Sequence, residues 1–160
     1  MLSCGDVDAS ALVGLFSRYG LHLTWVEDHR PIPGSYWGDP EAGLLGDRLY
    51  VRRDTPVHSA FHEGCHYICM DQTRRDRLHT DAGGCCDEEN AVNYLQIVLA
   101  DWLPACGRER MFRDMDAWGY SFRLGSARAW FEADAQEARL WLLHHGLIAE
   151  CCQPTWRLRQ

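Results

Sequence analysis

At 160 residues and 46% hydrophobic, the chain is sized for one globular domain, residues 1–160, with a core of its own and no second domain. A formal charge of −7 argues against a nucleic-acid or anionic-membrane surface, because the arginines at Arg74–Arg77, Arg108–Arg113 and the tail are interleaved with acids or apolar residues and form no basic stripe. No apolar run approaches the roughly 20 residues of a membrane span, and Asp6, Asp8 and Arg18 interrupt the start of the chain, which predicts no signal peptide and a cytoplasmic protein.

Asp8 to Tyr19 reads as an amphipathic helix with an acidic start and Gly20 as its stop. Leu21 to Glu27 alternates like a half-buried strand. Ser35–Trp37, Ala42–Leu45 and Asp47–Arg53 read as further short strands, with turns at Gly38-Asp39-Pro40 and Gly46-Asp47. The expectation is a small, mostly antiparallel sheet of about three or four strands. Of the eight cysteines, Cys85-Cys86 and Cys151-Cys152 are vicinal pairs. Neighbouring cysteines bridge only with strain, so thiols are expected throughout.

The strand over Asp47–Arg53 leads into Thr55-Pro56 and then His62-Glu63-x-x-His66. Thr55 suits an N-cap, Pro56 the first helical position, and Val57, Phe61, Gly64, Cys65 and Ile68 an apolar arc. On this helix His62 and His66, four apart, share a face and can offer imidazole nitrogens to one zinc ion at about 2 Å. Glu63 sits about 100° round the helix, beside the metal, where a carboxylate can act as general base. His58 and Cys69 extend the histidine stripe, so the polar strip flanks the core-facing arc.

Residues 71–84 are charged, end in Gly83-Gly84 and read as a loop or a frayed helix end. Next comes a helix from about Cys86 to Leu103, stopped by Pro104, with Ala91, Val92, Leu95, Val98, Leu99, Trp102 and Leu103 on one arc and Glu89, Asn93 and Gln96 on its flank. Packing the two apolar arcs together brings the polar strips together. Glu89 then becomes the third ligand, with Glu88 the alternative, and Asn93 can hydrogen-bond a ligating histidine. His79 and Asp81 also stay open as ligands from the loop. Cys69 lies about 7 Å along the axis from the middle of the pair, beyond a cysteine's reach of about 5 Å.

Arg110–Trp118 and Ser126–His145 read as two more helices, with Trp130, Phe131, Ala138, Trp141 and Leu142 as core and Gly146 as the stop. His144 and His145 suit the negative end of the helix dipole. A tetrahedral oxyanion needs a donor, and His58, Tyr36, Tyr120 and His144 are the candidates. Strands followed by helices make the class α+β.

The run Tyr50 to His66, then Glu89-Asn90-Ala91-Val92-Asn93 and Leu99 to Pro104, resembles the ImmA/IrrE zinc metallopeptidases of the gluzincin group. The resemblance spans roughly residues 44–104. Here Asn93 stands further from the glutamate than in the family's usual order, so Glu88 and Glu89 both remain in view as the third ligand. What it implies is a small zincin-like domain, a sheet followed by a helical bundle, holding zinc and hydrolysing peptide bonds of a protein or peptide substrate, often a regulatory protein. The competing expectation is a zinc-stabilised regulatory or protein-binding module without turnover.

Overall fold

In the computed structural model, which describes residues 1–160, helix α1 (Ala9–Ser17) starts where Asp8 accepts a hydrogen bond from Ala11 N at 3.0 Å. It delivers the chain to strand β1 (His22–Trp25), and a long loop leads on to β2 (Gly43–Leu45) and β3 (Arg48–Val51). The strand order is β1-β3-β2. β2 and β3 are antiparallel across the tight Gly46-Asp47 turn, but β1 runs parallel to β3, which corrects the expectation of a mostly antiparallel sheet. The reason lies in the loop: it carries the chain past the central position, so β3 reverses into the gap beside β1. Ser35–Trp37 forms no strand. Ser35 makes a single bridge to Gly43, and positive φ at Gly34 (74°) and Gly38 (91°) turns the chain on either side.

Helix α2 (Val57–Cys69) begins after Pro56, which is itself the N-cap. Thr55 instead accepts a hydrogen bond from Arg52 N at 2.8 Å and fixes the turn before the helix. Every residue of α2 except His62 is buried. Gly64 explains part of this, since a Cβ there would lie 2.3 Å from Phe16 Cε1 of α1. Two residues from His62 place Gly64 on the opposite side of the helix, so α1 presses on its back while the histidine face turns away.

The segment expected as a loop or frayed helix end contains a short separate helix, α3 (Gln72–Asp76), capped by Asp71 through a hydrogen bond from Arg74 N at 2.9 Å. Helix α4 (Cys86–Ala100) follows and is buried on all sides from Ala91 onward, because α2, α5 (Gly107–Trp118) and α7 (Gln136–His144) surround it. Its regular helix ends before Trp102, which is 44% exposed and packs edge-on to Trp156 at 5.2 Å. The helix expected over Ser126–His145 is two, α6 (Ala127–Ala133) and α7, broken at Asp134-Ala135. No glycine or proline marks that break. The tail crosses the end of α2, with Arg159 N donating to Ile68 O at 3.0 Å. All eight cysteines are free, and no helix is long and apolar enough to cross a membrane.

Candidate metal centre

The packing of α2 on α4 brings together three side chains from two elements. His62 Nε2 and His66 Nε2 lie 3.2 Å apart, and the Glu89 carboxylate reaches both, Oε1 to His62 and Oε2 to His66, each at 3.2 Å. The donor atoms of these three residues all fall within 4.8 Å of one another, so the group can hold a metal ion. Tetrahedral coordination with bonds of about 2.0–2.1 Å separates ligand atoms by about 3.3 Å. Two imidazoles and one carboxylate at close to this spacing could therefore hold a divalent ion.

Glu88, the alternative ligand, is turned the other way. Buried at 3% exposure, it takes hydrogen bonds from Arg74 Nη1 and Nη2 at 2.7 and 2.8 Å and from Arg159 Nη1 at 3.2 Å. Gly84 makes room for this clamp, since a Cβ there would sit 2.9 Å from Glu88 Oε1. His79 pairs with Thr80, and Asp81 lines a cavity beside the triad without joining it. Cys69 is buried and outside the group, and burial pushes its thiol well above the ordinary range.

The expected role of Asn93 needs correction. Its Oδ1 is buried with no partner, and the residue that holds a histidine of the triad is Gln96, whose Oε1 is 3.1 Å from His62 Nδ1. Gln96 Nε2 also donates to His58 O at 3.2 Å. Because Glu89 meets His62 and His66 while Gln96 meets His62 and His58, α2 and α4 run antiparallel here. Gln96 lies seven residues beyond Glu89, nearly two full turns, and so stays on the same face as the ligand. Its acceptor oxygen assigns the proton of His62 to Nδ1 and leaves the Nε2 lone pair for a metal. His66 Nδ1 is buried without a partner.

Beside the triad, His58 Nδ1 lies 3.1 Å from Tyr120 Oη, with Gln96 Nε2 at 3.5 Å from the same oxygen. The other nitrogen of His58 is buried without a partner. A buried N–H without a partner is rarer than a buried acceptor without one, so we assign the proton to Nδ1, donating to the phenol oxygen. The Tyr120 hydroxyl proton is then free for the adjoining cavity. Burial raises the Tyr120 phenol, so it stays protonated, and burial followed by the His62 charge lowers His58 to about 4.

Glu63, 7% exposed, lines the cavities on both sides of the triad. Burial raises its carboxyl, against the pull of His62 and His66. For Glu89, burial also pushes up, but the hydrogen bonds and charges of the two histidines outweigh it and hold the carboxylate well below its usual range. His62 rises in return: burial opposes its charge and Glu89 overcomes that opposition. Of the other oxyanion candidates, Tyr36 lines the far cavity with Asp81, and His144 lies at the end of α7 in a separate cavity.

Sequence reading missed Glu41, Trp37 and Trp118, which line the cavity with Tyr120. They sit on a loop and at a helix end with no regular period to mark them. Comparison of the chain with protein-family models, curated proteins and solved structures gives no match.

Proposed function

We propose that this chain is a zinc-dependent metallopeptidase, with His62, His66 and Glu89 holding the metal and Glu63 as general base. The observation that carries the reading is the convergence of two imidazole nitrogens and one carboxylate, 3.2 Å from one another, on cavities that Glu63 lines. When bound, zinc supplies Lewis acidity, polarising a carbonyl and making a water acidic near neutrality.

Glu63 takes a proton from the attacking water and returns it to the leaving amine nitrogen. Its raised carboxyl suits the first of these transfers, since a more basic carboxylate takes the proton of water more readily. Tyr120, held by His58 and Gln96, donates a hydrogen bond from its hydroxyl to the carbonyl oxygen as negative charge builds there, and keeps its proton. Gln96 fixes His62, and Arg74 holds Glu88 so that the next residue, Glu89, faces the histidines. A closed structural zinc site needs a fourth protein ligand. The convergent group has three, which favours turnover over a purely structural module.

The test is cleavage of a peptide library or unfolded protein by wild type, by chelated protein, by protein with zinc restored and by Glu63→Gln. Activity lost to the chelator, regained with zinc and absent in a folded, zinc-loaded Glu63→Gln supports the reading. Equal cleavage by wild type and Glu63→Gln would sink it.

A further inference from the structure

We propose that the cavity between the 26–42 loop and α5 is a subsite for a cationic side chain, with Glu41 as its specificity-determining residue. This deepens the peptidase reading and rests on it for the identity of the ligand as part of a peptide. The cavity, about 380 Å³, opens directly beside His62, Glu63 and Glu89. That is within the usual size range for a small-ligand pocket.

Three observations converge on a cation. The first is charge. Glu41, Glu63 and Glu89 line the cavity and no arginine does, although the chain carries 16 cationic side chains. With a divalent ion bound, Glu63 and Glu89 balance it, and Glu41 remains uncompensated. A third carboxylate with no role in metal binding or proton transfer is costly to half-bury unless something of opposite charge comes to it.

The second is construction. Ala42 N donates to Ser59 Oγ at 3.0 Å, which pins the loop beside Glu41 to α2. Trp118 Nε1 donates to Glu41 Oε1 at 3.0 Å. One carboxylate oxygen is thus fixed by the protein, and no protein donor reaches the other. A guanidinium or ammonium group can take it in a charge-assisted hydrogen bond.

The third is the aromatic surround. Trp37 is 75% exposed and Trp118 42% exposed, and both line the cavity. Indole faces beside a carboxylate suit a cation on an aliphatic stem, because the stem packs on the ring while the charge meets both the ring quadrupole and the carboxylate. An acidic side chain would meet three carboxylates here. A plain aliphatic one would leave the second oxygen of Glu41 desolvated and without a partner.

The experiment separates this subsite from catalysis by using binding as its readout. The intact protein, loaded with zinc, is titrated with N-acetyl-arginine amide while the Trp118 indole N–H resonance is followed; a Trp118→Phe variant assigns that resonance. N-acetyl-leucine amide and N-acetyl-glutamate amide are the controls. The expected result is a saturable shift with the arginine derivative alone, and affinity about tenfold weaker in Glu41→Gln, the cost of one charge-assisted contact. Circular dichroism checks that Glu41→Gln, a conservative change, stays folded. Equal binding of the leucine derivative, or unchanged arginine affinity in Glu41→Gln, overturns the subsite. Arginine binding in a protein that cleaves nothing would sink the peptidase reading and leave the cation site standing. Glu63-dependent cleavage indifferent to arginine or leucine at every position would do the reverse.

Discussion

Glu88 and Glu89 are neighbours in the chain and opposites in the structure. Both oxygens of Glu88 are bonded by guanidinium groups, and its side chain is 3% exposed. Glu89 is 47% exposed at the side chain, and its partners are two imidazole nitrogens. One face of the first turn of α4 is therefore sealed by permanent cations that tie in α3 and the tail. The other meets neutralisable nitrogens and opens on a cleft. The kind of partner, and not acidity or position in the sequence, separates a carboxylate that holds the fold from one equipped to hold a metal.

The strongest way to break this comparison is to remove each carboxylate in turn. Glu89→Ala is expected to lower zinc affinity by more than about 100-fold, beyond the loss from a merely supporting residue, while leaving the fold intact. Glu88→Ala should do the reverse: it strips the counter-charge from Arg74 and Arg159 and lowers stability by about 3 kcal/mol. Competition with a chelating dye and urea unfolding on both variants measure the two quantities. If Glu88→Ala loses the metal and keeps its stability, the faces have been assigned the wrong way round.

His58 and His62, one turn apart on α2, sharpen the comparison through pH. In metal-free protein Glu89 raises His62, so the stability from that pair is present below the unfolded pKa of 6.5 and fades as pH rises through the higher folded value. His58 has no carboxylate bonded to it. Burial and then the His62 charge hold it at about 4, with the Asp114 charge in partial opposition. The unfolded chain binds its proton near 6.5 and the folded one only near 4, so stability is complete above 6.5 and is lost as pH falls across that window. The gap corresponds to about 3 kcal/mol at most. Urea midpoints of chelated wild type and His58→Phe at pH 7.5 and pH 5 check this: wild type should lose more on acidification, and parallel losses would remove His58 from the account.

Much of this site was legible because it rests on local periodicity. His62, Glu63 and His66 are fixed by one helix, and Glu89 follows from a second helix whose polar strip flanks its apolar arc. Periodicity failed where tertiary packing decides. Nothing in Asn93 or Gln96 alone says which one meets a histidine; that depends on the antiparallel crossing of α2 and α4. The parallel β1–β3 pairing depends on the path of a long loop, and Glu88 became structural because of Arg159, 71 residues away. The tail carries no motif, yet it closes the end of α2. Such contacts have large sequence separation and leave no periodic trace.

The finest test of the comparison lies between the two amides on the ligand face of α4. Gln96 accepts from His62 Nδ1 and so sets its tautomer, while Asn93 Oδ1 has no partner although it is closer to Glu89 in the chain. Gln96→Leu removes the acceptor, leaves the Nδ1 proton without a partner, and lets the ring turn. Zinc affinity should fall by about 10- to 100-fold, the usual cost of losing a partner that orients a metal-ligating histidine. Asn93→Leu has no such bond to lose, and its affinity should stay within about threefold of wild type, a difference below about 0.7 kcal/mol. Chelator competition on both variants, with the His62 ring nitrogens followed by NMR in each, reads affinity and tautomer together. A larger loss in Asn93→Leu would mean that Asn93 supports the site and that Gln96 serves only to pack α4 against His58.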